Sequence, residues 1–439
     1  MVALHKYKNK KIAIYGIGKT GLSVIKILKK LKIKFVCWDD DKEKLNGLTY
    51  NFDKFWIKKD YIDYIIISPG IDINKCKLKN YLKKNSNKII TDLDLFFELN
   101  KKTNIIAITG TNGKSTTCKI LEKLLKTAKY KVQTVGNIGK PILSLNVIKN
   151  NFFIILEVSS YQLQYSKIFR SKYAAILNIS PDHLDRHKNI KNYINTKSKI
   201  FFGQSSSDYS YINATNKYSK SIVKLFKKKK LKSKLVLVKK KYAYIISEKI
   251  RNKYFKSRSG IENLSFVYEV AKKIKINDKT IIRALNQFKN LPHRQQIIFE
   301  NKKAICINDS KATSFDASLQ SLLNYNKIYW IVGGKPKHLD EFNLKNVSQK
   351  IIKAYVVGKS TSFFVNKIKK NVKYLVAYNI KNALLQIYKD VQNVKEKNFT
   401  ILFSPAAASY DQFNNFEERG NYFKEMAKKI FFKKHNAKF

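Results

Sequence analysis

Residues 104–126 read NIIAITGTNGKSTTCKILEKLLK, and this stretch restricts the fold more than any other. Its first six residues hold an apolar core, Ile105–Ile108, short enough for a strand buried on both faces. A glycine-bracketed loop and a helical pattern follow without a break. A strand, a tight glycine loop and a helix in direct succession make half of a βαβ unit. They imply a parallel sheet whose ligand loops lie at the strand C-termini. In the loop Gly110-Thr111-Asn112-Gly113-Lys114-Ser115-Thr116, backbone N–H groups and the helix N-terminus can cradle phosphate oxygens. The lysine supplies neutralising charge and a hydroxyl can reach Mg²⁺. It is the shorter GxxGK[ST] form, because Ile108 stands where the longer loop has glycine.

The same alternation recurs on both sides. KIAIY, then GIGKTG, a helical LSVIKILKKL, KFVCW and YIIIS read as an N-terminal βαβ block, closed by Ser68-Pro69-Gly70. TDLDLFFEL at 91–99 looks like a link into the central block. FFIILEVSS and KYAAILNIS are two further buried strands, KLVLV and KYAYIIS are read as strands in a lysine-rich segment, and IENLSFVYEVAKKI as a helix. Beyond LPHRQQ the strands KAICIND, KIYWIVGG, KAYVVG, KYLVAY and FTILFSP alternate with helices. The expected fold is three α/β domains, 1-92, 93-291 and 292-439, with mainly parallel sheets and no internal repeats.

Polar residues at the tips of these strands are the candidates for chemistry. Glu157 ends FFIILE, where an Mg²⁺ ligand of a phosphate-loop domain would sit, although a loop or capping acid reads the same way. His183, in NISPDHLDRH, follows the next strand; a loop histidine is as readily a solvent-exposed one. Gly16-Ile17-Gly18-Lys19-Thr20-Gly21 fits GxGxxG, with the acids Asp39, Asp40 and Asp41 about 20 residues on, and points to a nucleotide diphosphate or to NAD(P). Asn308-Asp309-Ser310-Lys311-Ala312-Thr313, Gly333-Gly334 with Lys337, and Ser404–Ser409 end three strands of one sheet and are expected to face a common cleft.

The formal charge is +57, normally a sign of nucleic acid or anionic membrane. Of the 88 basic residues only seven are arginine, and the lysines are spread along the chain, with KKKK at 227–230 the densest run. A dedicated nucleic-acid protein clusters its charge and favours arginine for bidentate contacts, so dispersed lysine reads as solvated surface. The few arginines become candidates for positional roles. Cys37, Cys76, Cys118 and Cys306 show neither CxxC nor metal spacing and read as reduced and mostly buried. With no apolar signal core and no window of ~18 apolar residues, a soluble cytoplasmic enzyme is expected, with neither membrane nor nucleic acid as partner and a monomer as the working state.

GTNGKST, EVSSYQL, NISPDHLDRH, LPHR, NDSKAT and SPAAASYDQFNNFEERG occur in this order. Together they resemble the Mur ligases, most of all the branch that adds D-glutamate to UDP-N-acetylmuramoyl-L-alanine. The resemblance implies a UDP-binding N-domain, a central ATPase and a C-terminal amino-acid domain. ATP would phosphorylate the L-alanyl carboxylate, and the D-glutamate amine would displace phosphate. It assigns Gly110–Thr116, Asn263, Arg294, Asp309 and Lys311 to ATP, with His293 at a domain boundary. Gly18, Thr20, Asp39, Ser68, Asn137 and His183 go to the UDP substrate, and Thr313, Lys337, Ser409 and Phe416 to D-glutamate. Ser115, Glu157, His183 and a CO₂-derived carbamate on Lys197 would hold two Mg²⁺ ions, and Lys114, His183 and Lys197 form the catalytic set. Lys199, two residues on, would lie at the surface. Ser314 replaces the family's Asn after NDSKAT, Thr196 replaces Ala before Lys197, and SRSGIEN lacks the His-Asn of the usual pattern, leaving Asn263 alone. Other Mur-type or folylpolyglutamate-type ligases, and a nucleic-acid-binding ATPase, are the competing readings.

Overall fold

The computed structural model describes residues 5–46, 62–101, 103–145, 152–337, 341–392 and 398–432. Its strands fall into three sheets among the described residues. β1 (Ile12–Tyr15), β2 (Phe35–Trp38), β3 (Tyr64–Ile67) and β4 (Ile89–Ile90) form a parallel sheet in the order β2-β1-β3-β4. β5 (Asn104–Thr109), β6 (Lys131–Gly136), β7 (Phe152–Glu157), β8 (Tyr173–Ile176), β9 (Tyr209–Asn213) and β10 (Lys234–Val238) follow as a second parallel sheet, β10-β9-β8-β5-β7-β6. The third contains β11 (Gln296–Glu300), β12 (Ala304–Asn308), β13 (Ile328–Gly333), β14 (Ile351–Val357), β15 (Tyr374–Tyr378) and β16 (Phe399–Phe403) in the order β11-β12-β16-β13-β14-β15. Among the described strands only β11 runs antiparallel to its neighbour.

The chain divides into two compact units, one of Met1–Asn252 with Ile261–Phe288, the other of Lys253–Gly260 with Lys289–Phe439. The first carries the first two sheets. β5 lies between β8 and β7, and Ile105, Ile106, Ala107 and Ile108 are all buried, which is why its sequence shows no alternation. The helix Lys114–Thr127 buries Cys118, Ile120, Leu121, Leu124 and Leu125. Each such side chain contributes roughly 1.5–3 kcal/mol, so the helix start, and with it the glycine loop, is anchored from below.

The link at 91–99 is the helix Asp92–Leu99, opened by a capping box between Thr91 and Asp94. Asp94 does more than cap. Its Oδ1 accepts from Ser166 Oγ (2.8 Å) and from the amides of Lys167, Ile168 and Phe169 (3.0, 2.9 and 3.0 Å). One buried carboxylate thus fixes the turn after β7 against the helix that leads out of the first sheet. Arg186 adds a second tie, donating to Gln164 Oε1 at 2.8 Å and to the carbonyl of Ile71.

The second unit packs two apolar layers on one sheet. Tyr355, Ile387 and Phe423 belong to one layer, Trp330, Phe364 and Leu402 to the other. The reading of KYAYIIS as a strand is corrected: Lys241–Glu248 is a helix. Ala243, Ile246 and Ser247 are buried while Tyr242, Tyr244 and Ile245 face out, a helical stripe that aromatic and β-branched residues disguised. β4, β6, β9 and β11 carry no run strong enough to have been picked out as strands. Cys37, Cys118 and Cys306 are buried and Cys76 partly so, all with free thiols. No helix of the described residues is long and apolar enough to cross a membrane.

Candidate active site

The phosphate loop takes its shape from its glycines. Gly113 caps the helix at φ 81°, and a Cβ there would lie 2.6 Å from Asn263 Oδ1; both the left-handed backbone and the close approach require glycine. Asn263 is buried and its Oδ1 also accepts from Thr117 Oγ1 at 3.1 Å, so it braces the loop from behind. Asn178, after β8, braces the other side. Its carbonyl accepts from the Thr111 amide at 3.0 Å and its Oδ1 from the Asn112 amide at 2.8 Å. Ser115 and Thr116 lie half-buried in the first helical turn, where backbone N–H groups have no intrahelical acceptor.

Two lysines converge on this loop. Lys114 Nζ donates to the carbonyls of Gly110 (2.9 Å) and Thr111 (2.8 Å). Lys197 comes from the helix Ile190–Ser198 and is only 1% exposed. Its amine donates to the same Gly110 carbonyl at 2.9 Å and to Thr109 Oγ1 at 3.3 Å, and lies 4.7 Å over the Tyr193 ring. Burial, reinforced by the Lys114 ammonium, pushes the Lys197 amine well below the usual lysine range, against upward pulls from Asp182 and Glu157. Lys199 is not the surface lysine expected. It is half-buried and donates to the Gln164 carbonyl, since the helix tightens into a 3₁₀ turn at 199–201 and carries it inward.

Glu157 closes the side of the site at β7. It is buried; Oε1 accepts from Asn137 Nδ2 at 2.9 Å and Oε2 has no hydrogen-bond partner. A buried carboxylate oxygen with no donor is costly in an apolar setting and is what a cation would satisfy. His183 lies at the start of the helix Leu184–His187, its Nδ1 2.9 Å from Tyr161 Oη and its Nε2 3.4 Å from Asp182 Oδ2. Among the described residues no three His, Cys, Asp or Glu side chains gather as a metal cluster. The feature that would suit a divalent cation is the unpartnered Glu157 oxygen.

The N-terminal loop is built differently. Gly16 has φ 95°, with a Cβ there only 2.7 Å from Ser68 Cβ, whereas Gly18 faces open space at the start of the helix Lys19–Lys30. Asp39 is buried, its Oδ2 accepting from the Ile17 amide at 2.6 Å and its Oδ1 from the Asp41 amide at 3.0 Å. Ser68 Oγ donates to the Gly16 carbonyl at 2.6 Å, and Thr20 is half-buried beyond Gly18. The structure thus brings Gly18, Thr20, Asp39 and Ser68 to one loop. Asn137 lies with Glu157 instead.

In the second unit the three strand-tip loops meet around Arg419. Its Nε donates to Ser310 Oγ at 3.1 Å, and Nη2 to the carbonyls of Ser310 (2.8 Å) and Ala407 (3.0 Å). Lys335 and Ala408 exchange amide–carbonyl bonds at 2.9 and 3.0 Å, joining the Gly333-Gly334 loop to the same group. Lys311 Nζ stands 3.9 Å over the Phe416 ring. Thr313 and Lys337 are half-buried, as is Arg294, while Ser409 is buried and its carbonyl accepts from the Gln412 and Phe413 amides. Asp309 is turned inward, accepting from Ser321 Oγ (2.6 Å), Ser404 Oγ (3.0 Å) and the Gln295 amide (3.2 Å). Burial raises its pKa to about 6 despite these donors. His293, at φ 61°, accepts at Nδ1 from Asn308 Nδ2 at 3.1 Å. Arg419, Asn178 and Tyr161 are the contributors sequence reasoning did not assign. Arg419 alone carried a signal, as one of seven arginines in a lysine-rich chain.

A model of the Mur ligase middle domain matches residues 108–281. The chain is 36% identical to the UDP-N-acetylmuramoylalanine–D-glutamate ligase of Rickettsia felis, over 97% of this chain and 98% of the relative. It is 32% identical to the ligase of the same name from Elusimicrobium minutum, over 97% and 99%. Among solved structures, the UDP-N-acetylmuramate–alanine ligase of Thermotoga maritima aligns at TM-score 0.53 and 16% identity, covering 95% and 99% of the two chains. A MurF ligase from the same organism, in complex with ADP, aligns at 0.54 and 16%, covering 87% and 92%. At that identity the structures speak for the fold alone, but the sequence kinship runs along almost the whole length. The chain belongs to the Mur ligase family, among the UDP-N-acetylmuramoylalanine–D-glutamate ligases.

Proposed function

We propose that this chain joins D-glutamate to UDP-N-acetylmuramoyl-L-alanine at the expense of ATP, as a cytoplasmic, monomeric enzyme of peptidoglycan precursor synthesis. Full-length kinship to ligases of that name carries the reading, and the lysine-lined phosphate loop supplies its chemistry. Three working domains are inferred, 1-92 for the UDP substrate, 93-291 for ATP and 292-439 for D-glutamate.

Phosphoryl transfer between anions needs positioned cations more than covalent help. Gly110–Thr116 would hold the ATP phosphates, with Lys114 releasing its loop carbonyls to neutralise them. Asn263, Arg294, Asp309 and Lys311 are assigned to the nucleotide, Asp309 by holding the strand tips in register. Mg²⁺, when bound, supplies charge neutralisation at the phosphate oxygens, and Ser115, Glu157, His183 and Lys197 would hold it. For Lys197 that requires a change of sign: the neutral amine attacks CO₂, loses a proton and becomes a carbamate, an anionic oxygen donor. Burial favours this by lowering the cost of deprotonating the amine. The L-alanyl carboxylate attacks the γ-phosphorus to form an acyl phosphate and release ADP. The D-glutamate amine then adds to the acyl carbon, loses a proton, and the C–O bond breaks to release phosphate. Gly18, Thr20, Asp39 and Ser68 would hold the uridine diphosphate, Asn137 and His183 the sugar-peptide end, and Thr313, Lys337, Ser409 and Phe416 the dicarboxylate.

The test is phosphate release from ATP with UDP-N-acetylmuramoyl-L-alanine and D-glutamate, against L-glutamate, D-alanine, folates and DNA. Turnover with the first pair alone is expected. Silence there, or stimulation by DNA, overturns the reading.

A further inference from the structure

His183 is held from two sides. Its backbone is left-handed (φ 53°, ψ 34°), a conformation that persists in a histidine only where the surroundings fix it, and its amide donates to Asp182 Oδ1 at 3.0 Å. Nε2 faces Asp182 Oδ2 at 3.4 Å and Nδ1 faces Tyr161 Oη at 2.9 Å. Tyr161 belongs to the short helix Ser160–Gln164, which begins three residues after Glu157, so the strand that ends in Glu157 also sets the phenol. The ring has little freedom. It stacks on His187 at 5.9 Å and 28°, and the Arg186 guanidinium lies 5.2 Å from its centroid. His187 is buried and hydrogen-bonded to Ser160 Oγ at 3.0 Å, and it packs against Tyr193 at 5.2 Å. Tyr161 therefore stands at the end of a row of rings that reaches back to Lys197, whose amine lies over Tyr193.

We propose that Tyr161 is a positioning residue for His183, whose hydroxyl holds the imidazole plane and serves both of its neutral tautomers. A phenol hydroxyl donates and accepts, which no carbonyl or carboxylate does. With Nε2 protonated toward Asp182, Tyr161 donates to Nδ1. With Nε2 presenting its lone pair to a cation, the proton must reside on Nδ1, and Tyr161 accepts it in a hydrogen bond. Between the two tautomers one proton leaves Nε2 and one is taken up at Nδ1, with no net change. His183 can thus turn from an Asp182-bonded group into a cation ligand without losing its orienting bond. The inference rests on the assignment of His183 to Mg²⁺, and Tyr161→Phe isolates it, because that change keeps the ring packing and removes a single oxygen.

The experiment uses the full-length protein, uniformly ¹⁵N-labelled at histidine, as wild type, Tyr161→Phe and His183→Ala. Nitrogen chemical shifts are read with and without Mg²⁺ and a non-hydrolysable ATP analogue; the signals missing in His183→Ala identify His183. Mg²⁺ affinity in the presence of the analogue is measured by titration calorimetry. The wild type is expected to move from the Nε2–H to the Nδ1–H tautomer on loading. Tyr161→Phe should show mixed tautomers, Mg²⁺ affinity about 10-fold weaker, and a fall in kcat with KM for D-glutamate unchanged. An unaltered tautomer and unaltered Mg²⁺ affinity in Tyr161→Phe, alongside a clear loss in His183→Ala, overturn the positioning role alone. Full Mg²⁺ affinity in His183→Ala overturns both the role and the cation assignment beneath it.

Discussion

The turns GIGKTG (16–21) and GTNGKST (110–116) each carry a parallel strand into a helix, and each puts a lysine at the first helical position, Lys19 and Lys114. Their geometry diverges because the second has one more residue between its glycines. That residue lets Lys114 fold back onto the carbonyls of Gly110 and Thr111, while Lys19 stays exposed. The second also has Lys197 buried behind it, donating to the same Gly110 carbonyl, and Glu157 beside it with an unpartnered oxygen. The first has the Asp39 carboxylate spent on the Ile17 and Asp41 amides. In the proposed reading the first loop holds a diphosphate and the second serves phosphoryl transfer. A glycine pattern reports the turn; the lysines and acids that arrive from other elements decide its chemistry.

The largest expected effect separates the lysines. Lys114→Ala and Lys197→Ala should each lower kcat by at least about 100-fold, roughly 3 kcal/mol in the barrier. Lys19→Ala should leave kcat within about three-fold and act, if at all, on KM for the UDP substrate. Steady-state phosphate release with each substrate varied in turn decides the point. Bicarbonate dependence sharpens it for Lys197: ¹³C-bicarbonate should give a carbamate signal in the wild-type protein and none in Lys197→Ala.

Glycine substitutions come next. Gly113→Ala forces a Cβ to 2.6 Å from Asn263 Oδ1 at φ 81°, and should raise KM for ATP while leaving that for the UDP substrate. Gly16→Ala forces one to 2.7 Å from Ser68 Cβ at φ 95°, and should do the reverse. Either should cost about 1–3 kcal/mol of stability by denaturant unfolding. Equal effects of both on both KM values would break the comparison.

The smallest effect lies in the second unit. Buried Asp309 has its pKa raised to about 6, so between about pH 4 and 6 the folded chain keeps a proton that the unfolded chain has released. Stability contributed at this site is therefore greatest below pH 4 and falls as pH rises to about 6. Asp309→Asn removes the titration, so the wild-type minus variant difference in unfolding midpoint should shrink over that window. A difference independent of pH would contradict the assignment.

How much of this was legible follows from where the information sits. β5, β7, β12, β13 and β16 announce themselves because strands buried on both faces must be apolar throughout. Lys114 is equally plain, since its role is fixed by neighbours in sequence. Lys241–Glu248 was misread because exposed Tyr242, Tyr244 and Ile245 hide a stripe made by Ala243, Ile246 and Ser247. Asn178, Tyr161 and Arg419 each act through a partner 22 to 109 residues away, and Asp94, beyond its local cap on Thr91, holds Ser166 at 72 residues; no sequence-local pattern marks those distant partners. Lys199, expected at the surface from the resemblance, lies in the 3₁₀ turn 199–201 and donates to the Gln164 carbonyl, a partner 35 residues away.

The distinction between a holding loop and a reacting loop is tested most directly by following oxygen. UDP-N-acetylmuramoyl-L-alanine is labelled with ¹⁸O in the alanyl carboxylate and turned over with ATP and D-glutamate, and the released phosphate is analysed by mass spectrometry. Attack by that carboxylate at the γ-phosphorus leaves one labelled oxygen bridging carbon and phosphorus, and C–O cleavage carries it away. The account predicts one ¹⁸O in each phosphate released; unlabelled phosphate, with peptide product formed, would contradict it.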